Sequence, residues 1–178
     1  MQNYIVSLWA IVTDGPEVGS IPVQRRAEKE PGEDGELKTQ SHPGVLQPLV
    51  AGKGEQGEGP AKTLLRETEE EAGKDFADIL HGKMECGRKF YRFSQKEYTD
   101  KNGNSVCNYN FVVKVSQDDL EKIKLHAGAE SALIFLKKED VKKIRTTKEM
   151  DGKEIKEGDL VMFPDHLSVM KGIAGGVI

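Results

Sequence analysis

Three glutamates in the middle of the chain have the spacing of a cation-binding cluster. Glu67, Glu70 and Glu71 occupy positions i, i+3 and i+4 of a segment with helical periodicity, residues 61–72. At about 100° per residue they share one arc of the helix, where like charges at i,i+4 cost roughly 0.2–0.5 kcal/mol per pair. A divalent hard cation would turn this repulsion into coordination, since Mg²⁺ prefers carboxylate oxygens and substrate phosphates.

A solvated helix face is the alternative interpretation of the same charges. Arg66 can pair with Glu70, and Glu70 with Lys74, at i,i+4, and charge runs are usually solvated. The loop before the helix adds Glu55 and Glu58 and is rich in glycine, but the spacing of the whole segment, and not the charges alone, favours the cation site. Glycine lets the backbone come close to a ligand.

The residues around the acidic cluster resemble the Nudix box at each of its fixed positions. The pattern is G-x5-E-x7-R-E-U-x-E-E-x-G-U, where U is apolar. Its fixed positions are matched by Gly52, Glu58, Arg66, Glu67, Glu70, Glu71 and Gly73. The two U positions depart from the pattern, being Thr68 and Lys74. Over residues 52–74 the chain is therefore similar to the Nudix hydrolase family.

The resemblance implies a role for the residues of the helix. Glu67, Glu70 and Glu71 would bind the divalent cations, Mg²⁺ or Mn²⁺, and one of them would deprotonate or steer water. The carbonyl of Gly52 would add a further ligand. Arg66 would hold the glutamates through charge-assisted hydrogen bonds.

Further residues are assigned by the same resemblance. Glu58 would support the junction of loop and helix, and Gly73 completes the box. Family members often carry another glutamate before a late strand, for which Glu130 is the candidate; an ordinary solvated loop glutamate is the alternative. Diadenosine polyphosphate-cleaving relatives tend to have a tyrosine shortly after the box, where this chain has Tyr91. ADP-ribose-cleaving relatives tend to have a proline there.

The elements around the box mix strands and helices without a regular βαβ rhythm. Strand-forming runs are at 4–13, 21–26, 45–50, 89–94, 106–115 and 131–136, and helical segments are at 61–72, 117–124, 139–143 and 167–173. This mixture predicts an α+β fold with a mixed β-sheet, and the resemblance implies the Nudix-type α/β/α sandwich. We expect a single domain over 1–178, with a flexible loop at 27–42, where almost nothing can be buried.

The composition argues against several classes of protein. The 178 residues carry 26 Lys and Arg against 30 Asp and Glu, a net charge of −4, whereas nucleic-acid binding draws on clustered Lys and Arg. No apolar run reaches the roughly 20 residues that span a bilayer, and no secretory signal is visible. Cys86 and Cys107 form neither a metal motif nor a disulfide framework. We therefore expect a cytoplasmic protein that binds a small-molecule nucleotide, and a homodimer is left open.

The resemblance implies an enzyme, a metal-dependent pyrophosphohydrolase. Its substrate would be a nucleoside diphosphate linked to another moiety. Within this class, Tyr91 favours dinucleoside polyphosphates. One alternative is a Nudix-type fold that binds nucleotides without catalysis. The other is a Rossmann dinucleotide site, since residues 52–57 also satisfy G-x-G-x-x-G. Glu55 and Glu58 argue against it, because they crowd the place of an anionic pyrophosphate.

Overall fold

A computed structural model describes residues 3–31, 36–87, 90–99, 103–125 and 132–176. The strands are β1 (Asn3–Val12), β2 (Ile21–Arg25), β3 (Lys29–Pro31), β4 (Leu37–Thr39), β5 (Leu46–Gln47), β6 (Val50–Lys53), β7 (Phe90–Thr99), β8 (Ser105–Val115), β9 (Ile134–Leu136), β10 (Arg145–Thr146) and β11 (Val161–Met162). The helices are α1 (Pro60–Ala72), α2 (Lys74–Cys86), α3 (Gln117–Leu120), α4 (Lys138–Val141), α5 (Thr147–Met150) and α6 (Pro164–Ala174). Among the described residues, no helix has both the length and the hydrophobicity to cross a membrane.

A four-stranded mixed sheet forms the centre of the fold. Its order is β6-β1-β8-β7, with β1 parallel to β8 and antiparallel to β6. Alternate side chains of a strand face opposite sides of a sheet, so both sides of β1 bury apolar residues. One side packs with Val6, Leu8, Leu64 and Phe76 against α1 and α2, and the other with Trp9, Val112, Leu167 and Met170 against α6. This layering confirms the predicted α/β/α sandwich, and it excludes the parallel doubly wound sheet of a Rossmann site.

The second sheet and the segment 27–42 differ in part from the prediction. The second sheet has the order β10-β11-β5-β2-β9, so β1 and β2, the first two predicted strands, belong to different sheets. Within 27–42, the expected loop, β3 and β4 pair as a two-stranded antiparallel sheet. Arg26 Nε donates to Gln40 Oε1 at 2.7 Å and ties this segment to the end of β2.

The box helix α1 has the ends that the sequence predicts. Pro60 lies in its first turn, where a backbone N–H has no helical acceptor. Gly73 adopts a φ of 87°, which favours glycine, and its N–H donates to the carbonyl of Glu69 at 3.2 Å. The chain turns at Gly73 into α2, a helix that the sequence analysis did not predict. Phe76 and Leu80 of α2 are buried against the central sheet.

His166, in the first turn of α6, lies between two aromatic rings. Its ring meets Trp9 edge-on at 5.9 Å and Phe163 at 5.7 Å between centroids. Its Nδ1 is buried and has no hydrogen-bond partner among the described residues. Burial lowers the pKa of His166 to about 4, with the charge of Asp165 opposing the shift and that of Arg26 adding to it.

The buried imidazole should make stability fall at mildly acidic pH. Because the folded-state pKa lies below the unfolded value, the contribution is fully present above a pH of about 6.5 and is lost as the pH falls towards 4. We expect a loss of about 2–3 kcal/mol between pH 7 and 4.5 from this group. His166→Phe keeps the ring contacts and should remove that part of the pH dependence. Urea unfolding of both proteins across the range measures it; parallel curves would contradict the prediction.

Candidate active site

Glu67 projects from the middle of α1 over Gly52 of β6. A Cβ atom on Gly52 would overlap Cδ and both carboxylate oxygens of Glu67, so only glycine leaves room for this carboxylate. The Glu67 side chain is 12% exposed, and its Oε1 lies 2.9 Å from Nη1 of Arg66. Burial raises the pKa of Glu67, against the attraction of Arg66, and repulsion from Glu70 adds to the rise.

Glu71, one helical turn further on, holds the beginning of β6. The Ala51 N–H donates to its Oε2 at 2.9 Å. Burial raises the pKa of Glu71 to about 7 against that hydrogen bond, while the charges of Glu67 and Glu70 raise it further. Two neighbouring carboxylates therefore resist ionisation, which is the situation that a bound cation relieves.

Arg66 connects the acidic residues to one another. Its Nη1 lies 3.2 Å from Glu70 Oε2, and its Nη2 donates to the carbonyl of Lys53 at 2.9 Å. Its Nε and Nη2 also donate to the carboxylate of Glu58 at 3.2–3.3 Å. Of Glu67, Glu70 and Glu71, Glu70 is the most exposed, with 56% of its side chain accessible.

Glu58 lies beneath the loop, with 8% of its side chain exposed. Hydrogen bonds from Arg66 lower its pKa, and the Thr63 hydroxyl, which donates at 2.9 Å, adds to the effect. The Tyr4 hydroxyl donates to the Glu58 carbonyl at 2.9 Å and lies 2.8 Å from Thr63 Oγ1. The sequence analysis missed Tyr4 and Thr63, which no motif distinguishes from ordinary strand and helix residues.

The donor chemistry of the cluster fits a hard divalent cation. Carboxylates with raised pKa values converge on β6 at a glycine whose missing side chain makes the space. As they stand, however, no three acidic, histidine or cysteine side chains of the described residues could together hold a metal ion. In this arrangement Arg66 pairs with Glu67 and Glu70, and Ala51 donates to Glu71.

One candidate from the sequence, Tyr91, lies on the other side of the central sheet from the box helix. Tyr91 on β7 is opposite Val112, on the side of the central sheet that faces α6, because directly opposed residues share a face. The Lys114 ammonium lies 5.7 Å from the centroid of the Tyr91 ring. Glu130 lies outside the described residues, so its role stays a prediction.

Arg26 is a residue beside the site that the sequence analysis missed. It lines a cavity of about 580 Å³ together with His42, Met150 and Lys153. Its charge lowers the pKa of Glu71, so the guanidinium is close enough to the acidic cluster to act on it electrostatically. An arginine just after a strand carries no motif, so only the folded chain reveals its position.

The comparison with protein families identifies the family to which the chain belongs. The model described as NUDIX domain matches residues 4–156, and the chain therefore belongs to the Nudix family. Together with the fold, this membership makes the protein an enzyme of the pyrophosphohydrolase class. Among curated proteins, no sequence matches the chain.

Solved structures share the fold at low sequence identity. The NUDIX domain of Shewanella oneidensis NrtR, complexed with ADP ribose, matches with a TM-score of 0.60 and 10% identity, over 100% of this chain and 90% of that one. A NUDIX hydrolase from Alicyclobacillus acidocaldarius matches with a TM-score of 0.57 and 14% identity, over 98% and 92%. A NUDIX-family hydrolase from Clostridium perfringens gives 0.52 and 14%, over 98% and 97%.

Proposed function

We propose that the protein hydrolyses a phosphoanhydride of a nucleoside diphosphate linked to another moiety, with Mg²⁺ or Mn²⁺ held by Glu67, Glu70 and Glu71. The observation that carries the proposal is a pair of partly buried carboxylates with raised pKa values that lie against β6, Glu67 at Gly52 and Glu71 at Ala51. The similarity to a domain complexed with ADP ribose supports the substrate class, since ADP ribose is itself such a compound. Dinucleoside polyphosphates are the members of this class that Tyr91 favours.

Each residue of the site would have a separate role in the hydrolysis. A bound divalent cation supplies charge neutralisation at the phosphates and a lower pKa for water. The water oxygen forms a bond to phosphorus, the bridging P–O bond breaks, and the proton of the water passes to a carboxylate. Glu130 or one of the helix glutamates accepts that proton. Arg66 positions Glu67 and Glu70, and Glu58 anchors Arg66 from the loop.

We also propose that this activity resides in a single domain. The family match ends at residue 156, yet β11 belongs to the second sheet and α6 covers one side of the central sheet. Removal of these elements would expose Trp9 and Val112, which are 0% exposed in the structure. The segment after the matched region is therefore part of the same hydrophobic core.

A hydrolysis screen tests the proposed function. Sugar nucleotides, dinucleoside polyphosphates, ADP-ribose and oxidised nucleoside triphosphates are incubated with the protein and Mg²⁺, with and without chelator. We expect release of phosphorylated products that chelator abolishes. Nucleotide binding in calorimetry with no product from any compound would instead support a binding module without catalysis.

Substitutions of Tyr91 test whether the substrate is a dinucleoside polyphosphate. If its ring stacks on a base, Tyr91→Ala should raise the KM for a dinucleoside polyphosphate by about 5–100-fold, as base stacking elsewhere implies. Tyr91→Phe keeps the ring and should be nearly neutral. Steady-state kinetics are compared with melting curves of both variants. If Tyr91→Ala is destabilised but its KM is unchanged, Tyr91 only packs under Lys114. The sequence would then give no reason to prefer dinucleoside polyphosphates as substrates.

A further inference from the structure

Tyr4 of β1 holds the loop before the box helix at two points. Its carbonyl accepts from the Gly54 N–H at 3.1 Å, which extends the pairing of β1 with β6 by one residue into the loop. Its hydroxyl donates to the carbonyl of Glu58 at 2.9 Å, at the other end of the same loop. One residue of a distant strand therefore fixes both ends of the segment 54–58.

The ring of Tyr4 fits closely between the loop and the central sheet. A Cβ atom on Gly54 would overlap the end of the ring that bears the hydroxyl, so a glycine is needed for the loop to lie against it. The ring also meets that of Tyr109 on β8 edge-on, with the centroids 5.8 Å apart, a favoured arrangement of two aromatic rings. These contacts restrict the orientation of the ring and, with it, the position of the hydroxyl.

The Tyr4 hydroxyl begins a chain of hydrogen-bonding groups that leads into the site. It lies 2.8 Å from Oγ1 of Thr63, a helix residue that is 0% exposed. The Thr63 hydroxyl in turn donates to Oε2 of Glu58 at 2.9 Å. The two hydroxyls therefore hold Glu58 at both its backbone carbonyl and its carboxylate.

The position of the Glu58 carboxylate determines the position of Arg66. Nε and Nη2 of Arg66 donate to this carboxylate at 3.2–3.3 Å, and its Nη1 lies 2.9 Å from Glu67 and 3.2 Å from Glu70. The planar guanidinium group carries its donors in a rigid fork, so fixing one edge of the group also fixes the edge that meets the helix glutamates. Groups behind the ligands of a metal site orient those ligands.

We infer that Tyr4 is a positioning residue of the active site, whose hydroxyl acts with that of Thr63 to orient Glu58 and, through it, Arg66 and the acidic cluster. A tyrosine that serves packing alone is the alternative, and it would act through its ring and not through its hydroxyl. The effect on turnover rests on the proposed function, whereas the hydrogen bonds themselves exist without metal or substrate.

Tyr4→Phe tests the inference in the absence of metal and substrate, since it keeps the ring and removes the hydroxyl. The readout is the exchange of the Arg66 Nε–H with water, measured by NMR and identified by the loss of its signal in Arg66→Lys. An N–H exchanges when its hydrogen bond opens. We expect exchange to be about 2–10-fold faster in Tyr4→Phe, the worth of one hydrogen bond.

Tyr109→Phe is the matched control for this substitution. It removes a hydroxyl from the neighbouring ring, and that hydroxyl has Cys107 as its hydrogen-bond partner. Exchange of the Arg66 Nε–H should be the same in this variant as in the wild type. An unchanged rate in Tyr4→Phe, or an equal acceleration in Tyr109→Phe, would overturn the inference.

The cation requirement distinguishes positioning from a general loss of stability. In Tyr4→Phe, the Mn²⁺ affinity in calorimetry should fall by about 2–10-fold, and the Mg²⁺ concentration for half-maximal turnover should rise by a similar factor. The KM of the nucleotide should be unchanged, because the hydroxyl is used within the protein. A lower melting temperature with an unchanged cation requirement would assign Tyr4 to packing and overturn the inference.

Substitutions of Thr63 test the second hydroxyl. Thr63→Val keeps the shape of the side chain and should reproduce the effects of Tyr4→Phe on exchange and on the cation requirement. Thr63→Ser keeps the hydroxyl and should restore wild-type behaviour. Because both hydroxyls act on Glu58, the double variant Tyr4→Phe/Thr63→Val should differ from the sum of the single variants. Wild-type behaviour of Thr63→Val, or strict additivity, would break the chain and overturn the inference.

The outcomes separate this inference from the proposed hydrolysis. Faster exchange of the Arg66 Nε–H in Tyr4→Phe, with no compound hydrolysed by the wild type, would refute the hydrolysis and leave the positioning role standing. Hydrolysis by the wild type, with unchanged exchange and an unchanged cation requirement in Tyr4→Phe, would do the reverse.

Discussion

Replacing Glu71 by glutamine should reduce turnover by about 10²–10⁴-fold, the usual contribution of a positioned carboxylate. The amide oxygen of glutamine can still accept from Ala51 N–H, so the contact with β6 is kept. The negative charge is lost, and with it the repulsion by Glu67 and Glu70 that raises the pKa of Glu71. In the absence of metal, the variant should therefore be at least as stable as the wild type.

The same variant separates cation binding from folding. A ligand that binds only the folded state raises the melting temperature by mass action, so Mg²⁺ or Mn²⁺ should stabilise the wild type and have less effect on Glu71→Gln. Glu69→Gln is the matched control, since Glu69 is exposed on the same helix. An equal cation response in all three proteins, measured by thermal melting, would count against the metal assignment.

Gly52→Ala should reduce kcat by about 10²-fold, the cost of displacing a catalytic group by about 1 Å. The added methyl would overlap the Glu67 carboxylate and push it off β6. Since Gly52 pairs with Val6 in regular strand geometry, the backbone itself tolerates alanine. The loss should therefore appear in turnover more than in stability.

Gly59→Ala is the control for this substitution. Gly59 has a φ of −101°, and a Cβ there meets nothing within 4 Å. Both variants are compared by steady-state kinetics and by melting temperature. Full activity of Gly52→Ala would show that the position of Glu67 over β6 does not matter for the reaction.

The sequence could predict the box helix because its determinants are local. Pro60 and Gly73 set its ends through their own backbone preferences, and the 3.6-residue period places the three glutamates on one arc. The strands β1 and β8 were predicted from their β-forming composition, close to their observed bounds. The segment 27–42 was less predictable, since β3 and β4 are short strands with few apolar residues.

By itself, the sequence determined the identity and spacing of the acidic residues, and hence the family and its chemistry. Only the tertiary structure decided which of them are buried, because burial depends on contacts between distant segments. Glu71 acquires its raised pKa under β6, and Asn110 acquires its orientation from Trp9, about a hundred positions earlier in the chain. Parallel pairing of β1 with β8 creates that contact, and no local pattern specifies which strands pair.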